Sequence, residues 1–131
     1  MPEDVIPIHS NFHFQDKIDN VKNYYGGLRN KFDEVALNAK GKISVAIEDV
    51  DKYSKTLLIE LEQWKNLAIE KAQELYIKAN DSELLAKMIK KIQATFNEKS
   101  EDIKRIAIEK KAQLRKLFKL DQEEKALLEL F

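Results

Sequence analysis

The sequence predicts an all-α protein, an elongated antiparallel three-helix bundle with a short C-terminal fourth helix. Three observations predict it. Only three glycines and two prolines interrupt the 131 residues, which are rich in Ala, Glu, Lys, Leu and Ile, a composition that suits long helices better than a sheet. Large apolar residues recur in alternating steps of three and four, the heptad seam of helices packed against helices. The breaking residues gather at a few places that divide the chain into helix-length pieces.

Residues 1–13, "MPEDVIPIHSNFH", hold Pro2 and Pro7 and show no helical period, so they read as an extended arm. Ser10 or Asn11 can cap the helix that begins just after them. The first helix spans about 14–39, with its seam at Phe14, Ile18, Val21, Tyr25, Leu28, Phe32, Val35 and Ala39. Gly26 and Gly27 lie inside it. Because Tyr25 to Leu28 keeps the three-residue step, the helix is expected to run through the pair, at about 1 kcal/mol per glycine relative to alanine. Close approach of another helix, a bend, or a ligand lying on bare backbone beside Tyr24 and Tyr25 would each offset that cost. These four residues form a candidate groove or hinge.

The seam slips by one residue at Gly41. A turn near Asn38 to Lys42, with Gly41 closing the first helix and Ser44 capping the second, explains the slip. The second helix covers about 43–79 through Ile43, Ile47, Val50, Leu57, Leu61, Trp64, Ala68, Ala72 and Leu75. "KANDSELL" at 78–85 is the clearest punctuation in the chain. Asn80 and Glu83 have capping-box spacing, and Asp81 or Ser82 are alternative caps. The third helix, about 82–119, carries Leu85, Ile89, Ile92, Phe96, Ile103, Ile106, Leu114 and Leu117, with the polar run "NEKSED" expected to loosen its middle. Asp121, with Glu124 three residues on, reads as the cap of a fourth helix at 122–131. Folding about the turn at 80–82 pairs positions that sum to about 162, bringing Trp64 near Phe96 and Lys99, Leu57 near Ile106, and Leu75 near Met88. All of 14–131 is expected to form one helical-bundle domain.

This outline is shared by spectrin-like repeats and exchangeable apolipoproteins, but no residue motif here carries either family. Catalytic chemistry finds no support. The chain has no cysteine, which removes thiolate catalysis and thiolate metal sites. His9 and His13, the only histidines, are spaced as two ligands on one helical face, yet no thiolate or third histidine joins them, and no metal is expected. A diiron Glu-x-x-His pair fails because Ser10 stands three residues before His13. There is no phosphate-cradling glycine loop, and the carboxylates fit solvated helix faces. No enzyme activity and no cofactor are expected. Trp64, Phe96, Phe118 and the tyrosines read as core aromatics. Asn80-Asp81-Ser82 matches the glycosylation acceptor pattern in an accessible turn. No apolar run approaches membrane-spanning length, and no signal-peptide core opens the sequence. A cytoplasmic location is expected if Met1 is native; a secreted mature chain with an added Met would read the same.

Charge supplies the strongest anomaly. Lys plus Arg and Asp plus Glu total 23 each. The neutral sum conceals a third helix with 11 basic and 5 acidic residues over 82–119, flanked by 11 and 14 before it and 1 and 4 after it. Within it Lys104, Arg105, Lys110, Lys111, Arg115, Lys116 and Lys119 make a basic amphipathic helix, a candidate contact for a partner or an anionic surface. Leu127, Leu128 and Phe131 are expected to pack on the bundle; the competing reading makes them a docking helix for another chain. Two function classes emerge. The first is a non-catalytic interaction or structural bundle that binds a protein partner or itself. The second is an apolipoprotein-like protein that opens to bind lipid, a membrane surface or an apolar ligand. Nucleic acid ranks last, because no aromatic platform interleaves with the cations.

Overall fold

The structure, a computed structural model, describes residues 14–39 and 41–130. The expected arm over 1–13, with both histidines and the caps at Ser10 and Asn11, lies outside the described residues, as does Phe131. Every regular element described is helical. α1 covers 14–24 and leads through a 3₁₀ turn, Tyr25–Gly27, into α2, Leu28–Leu37. α3 spans Ile43–Lys78 and α4 spans Ser82–Glu129. These long helices pack against one another, and the described chain divides into two compact units, each fed by three helical stretches.

The first unit takes residues up to Gly26 and Ile59–Glu101. Its core is Ile18, Ala72, Tyr76, Met88 and Ile92, against which Phe14, Trp64, Ala68, Leu75 and Leu84 pack. Leu75 and Met88 thus share one core, as the hairpin register requires. Lys65, next to Trp64, sits 4.3 Å from the centre of the Phe96 ring. Lys91 donates to Gln15 at 2.8 Å and ties α4 to α1.

The connection from α3 to α4 is made by its sequence. Asn80 adopts the left-handed conformation, φ 54°, which asparagine tolerates better than most residues. The amide of Asp81 then bonds the Tyr76 carbonyl and that of Asn80 the Ile77 carbonyl, the paired closure of a Schellman end. The Leu84 amide donates to the Asp81 carboxylate at 3.0 Å, so Asp81 is the cap of α4.

The second unit takes Gly27–Leu58 and residues from Asp102 onward. It buries Leu28, Phe32, Val50, Leu57, Ile103, Ile106 and Ala107, and Phe32 meets Tyr53 edge to face at 5.2 Å. At the other turn, Gly41 has φ 79°, the left-handed closure expected of it. Ser44 is not the cap. The Ala46 amide bonds the Lys42 carbonyl, so the first helical bond closes on Lys42 and Ser44 is already the second residue of α3.

The glycine pair neither ends the helix nor continues it as α. Tightening to 3₁₀ geometry makes residues three apart eclipse, which keeps Tyr25 and Leu28 on the buried side. A methyl built on either glycine meets no atom within 4 Å, and neither has positive φ. No neighbouring group presses on the pair. α4 differs from expectation as well: it stays helical through "NEKSED" and runs past Asp121 to Glu129. No glycine or proline stands near Leu120 to break it, and Asp121 pairs with Lys125 one turn on, at 3.3 Å, as an interior residue of α4.

These backbones predict substitutions of opposite sign. Gly26→Ala and Gly27→Ala should each stabilise the fold by about 0.5 to 1 kcal/mol, through a less free unfolded chain. Gly41→Ala should destabilise it by about 1 to 2 kcal/mol, because alanine resists the left-handed region. Urea unfolding will show these as shifts of the midpoint at constant slope.

Candidate functional site

Three ion pairs fix how far α4 is accompanied by other helices in the second unit. Lys110 pairs with Asp33, 77 residues earlier, and Arg29 with Glu109 at 2.9 Å, 80 residues apart. α2 and α4 therefore ascend together, and the same offsets bring Leu37, where α2 ends, level with residues 114–117. Lys111 pairs with Asp51 at 2.9 Å, 60 residues away. α3 descends against α4 from there, so Ile43, where α3 begins, is level with residue 119. α4 outruns both companions.

Burial tracks this geometry. Leu114 is the last buried residue of α4, and every residue from 115 to 130 except half-buried Asp121 is exposed. Leu117, Phe118, Leu120, Leu127, Leu128 and Leu130 lie between 39% and 82% exposed. The expectation that Leu127 and Leu128 pack on the bundle is therefore overturned, because neither α2 nor α3 reaches level with them. Phe118 is not a core aromatic, and the seam expected to end at Leu117 stops at Leu114. The segment 115–129 is about 22 Å of helix at 1.5 Å per residue.

The basic candidates separate into two sets. Lys110 and Lys111 hold α2 and α3 through Asp33 and Asp51. Arg105 bonds Asp102 and Glu109 on its own helix, and Lys104 also has an interaction partner. Arg115, Lys116 and Lys119 have no ion-pair partner among the described residues. Beyond them Glu123, Glu124 and Glu129 are likewise exposed and without an ion pair among the described residues, while Asp121 is held by Lys125. The exposed helix thus presents, in its first half, three cations and, in its second, three anions that have no ion pair among the described residues. The sequence reading named Arg115, Lys116, Lys119, Leu127 and Leu128 as candidates but divided them between two helices by placing a break at Asp121, where α4 is continuous. The signal was there: α4 has no breaker from Ser82 onward and must overrun a shorter hairpin partner.

The other candidates do not join this segment into one site. Tyr25 is buried and Tyr24 exposed, their rings 5.0 Å apart and edge to face. In the first unit, Phe14, Lys17, Ile18, Trp64, Leu67, Ala68 and Lys71 line an apolar groove of about 320 Å³. It is bounded by Phe14, the first described residue. Among the described residues no cluster of histidine, aspartate or glutamate could hold a metal ion, and no helix is long and apolar enough to cross a membrane. Compared with known proteins, the chain matches no family model, no curated protein and no solved structure.

Hydrogen bonds from Lys111 and Lys55, with the attraction of their charges, hold the Asp51 carboxyl at about 2, below its ordinary 3.8. Linkage gives the sign. A depressed carboxylate contributes stability that is fully present above its unfolded value and is lost as pH falls towards the folded one. The contribution of Asp51 should therefore fade between about pH 4 and about pH 2. Asp51→Asn should be less stable than the parent at neutral pH and should show a flatter loss of stability across that window, measured by thermal melts in a pH series.

Proposed function

We propose that this chain is a non-catalytic interaction protein: each unit is a three-helix scaffold, and the C-terminal stretch of α4 beyond Leu114 is the docking element. One observation carries the reading, the exposed apolar stripe Leu117, Phe118, Leu120, Leu127, Leu128 and Leu130 on a helix that has outrun its neighbours. Scattered surface leucines need no explanation, but Leu117, Leu120, Leu127 and Leu128 share one face of the exposed helix, with Phe118 beside it, Glu124 between its two halves and Leu130 just past its end. Such faces mark interaction sites. An amphipathic helix laid against an apolar partner surface is a recurring recognition mode.

The lipid reading has weaker support. It rested on seven cations acting together, yet Arg105, Lys110 and Lys111 spend their charge on carboxylates within the chain. The apolar stripe continues into an acidic stretch, where anionic headgroups would be repelled.

Removing residues 115–131 tests the docking reading. Because every side chain over 115–130 except half-buried Asp121 is exposed, the shortened chain should melt within about 0.5 kcal/mol of the full one, compared at dilutions where the melting temperature does not depend on protein concentration. Its binding of an apolar fluorescent dye should fall. A clear drop in stability at those dilutions would mean that the segment packs on its own scaffold and is no docking element.

A further inference from the structure

The partner that the C-terminal helix fits best can be deduced from its charge order. Along the exposed stretch the charges without an ion pair among the described residues are Arg115, Lys116 and Lys119, then Glu123, Glu124 and Glu129, with Asp121 and Lys125 paired to each other. The change of sign falls between residues 119 and 123, close to the midpoint of the apolar stripe that runs from Leu117 to Leu130. A helix with its sign change at its own apolar midpoint is complementary to itself when reversed. Two copies laid antiparallel about residue 122 set Arg115 level with the partner's Glu129 and Lys119 within two residues of the level of the partner's Glu123 and the partner's Glu124, while Leu117 comes level with the partner's Leu127. Laid parallel, like charges would face each other along the whole length, and at close range each such juxtaposition is unfavourable.

We infer that the docking element pairs with a second copy of this chain, residues 115–130 of the two α4 helices crossing antiparallel about a two-fold axis near residue 122. The inference rests on the docking reading above and names its occupant. An isologous two-fold contact uses one surface patch twice, the commonest closure of soluble assemblies. A closed pair also covers the face formed by Leu117, Leu120, Leu127 and Leu128 on both copies. The arrangement exploits the same residues that the scaffold leaves alone. Lys110 and Lys111, engaged with Asp33 and Asp51, stay with the monomer, so pairing breaks no internal ion pair.

The experiment uses the full chain. Light scattering after size exclusion should give twice the chain mass at micromolar concentration, and the chain lacking 115–131 should stay single. Two charge variants then read the geometry. Arg115→Glu, Lys116→Glu and Lys119→Glu together make both halves acidic; Glu123→Lys, Glu124→Lys and Glu129→Lys together make both halves basic. Each variant alone should self-associate about tenfold more weakly or worse, and an equimolar mixture should recover the pair. Far-ultraviolet dichroism confirms that each remains helical, as exposed substitutions should.

Direction is read by oxidation, since the chain has no cysteine of its own. Leu117→Cys and Leu128→Cys lie on opposite sides of the proposed axis. Neither variant should cross-link with itself, whereas a mixture of the two should form a disulfide between copies. Self-cross-linking at both positions would mean a parallel pair and would overturn the inference. So would a single mass at every concentration with the full segment present. In that second case an unchanged melting temperature on deletion leaves the docking reading intact with another protein as occupant; a lowered one removes the docking reading too.

Discussion

A helix that outlasts every helix packed beside it must end alone. α3 has 36 residues and α4 has 48, and this inequality governs the surface of the protein. Asp81 caps the start of α4 against the end of α3, and the pairs Asp51–Lys111, Asp33–Lys110 and Arg29–Glu109 hold the register where α2 and α3 run out. Had α3 begun a dozen residues earlier, Leu120, Leu127 and Leu128 would have had an apolar face to meet. Instead the first helix spends those residues on α2, and the turn at Gly41 fixes where α3 starts.

The same inequality sorts the charges. Where α4 has companions, Lys110 and Lys111 serve as ties to α2 and α3. These ties are at least partly exposed and so are worth little each; their value is in specifying register, since a slip by one turn would strand Lys110 and Lys111 away from Asp33 and Asp51. Past Leu114 Arg115, Lys116 and Lys119 have no carboxylate partner among the described residues, and the chain changes sign within four residues. A segment kept soluble by charge alone would not need that order. Segregation of sign along a helix makes partner choice directional, as flanking charges do in coiled coils.

Much of the fold was legible because helix packing writes itself into spacing. Every seam residue from Phe14 to Ala39 lies on a buried or half-buried position, and the turn at Asn80 to Asp81 announced itself through residues that tolerate left-handed backbone and cap well. What spacing could not show was termination. Asp121 with Glu124 after it has the form of a capping box, but a cap acts only where a helix must begin, and a helix already formed passes through aspartate at modest cost. Ser44 misled for the same reason, since Lys42 had already closed the first turn. Tyr76, Met88 and Thr95 are buried beside the predicted seams, because each α3 or α4 stretch faces two neighbours and its apolar arc is wider than a two-helix stripe. The glycine pair kept the three-residue step because 3₁₀ geometry preserves it, so phase alone did not separate a continuous α-helix from a tightened one.

The overhang of α4 has a further energetic property. A free peptide of 15 residues would hardly be helical in water, because the first turn is costly to nucleate. Here the turn is already made: the stretch propagates from a helix anchored by Ile103, Ile106 and Leu114 in the core of its unit, and the Asp121–Lys125 pair supports its middle. The apolar stripe is thus presented on a preformed rod. A partner that docks there does not have to order the backbone first, and the ordering entropy that weakens recognition by disordered segments does not arise. Placing the proposed docking face on the end of α4, beyond the last buried residue Leu114, joins exposure to rigidity. That combination, more than the apolar area itself, makes the end of α4 the part of this surface best suited to recognition.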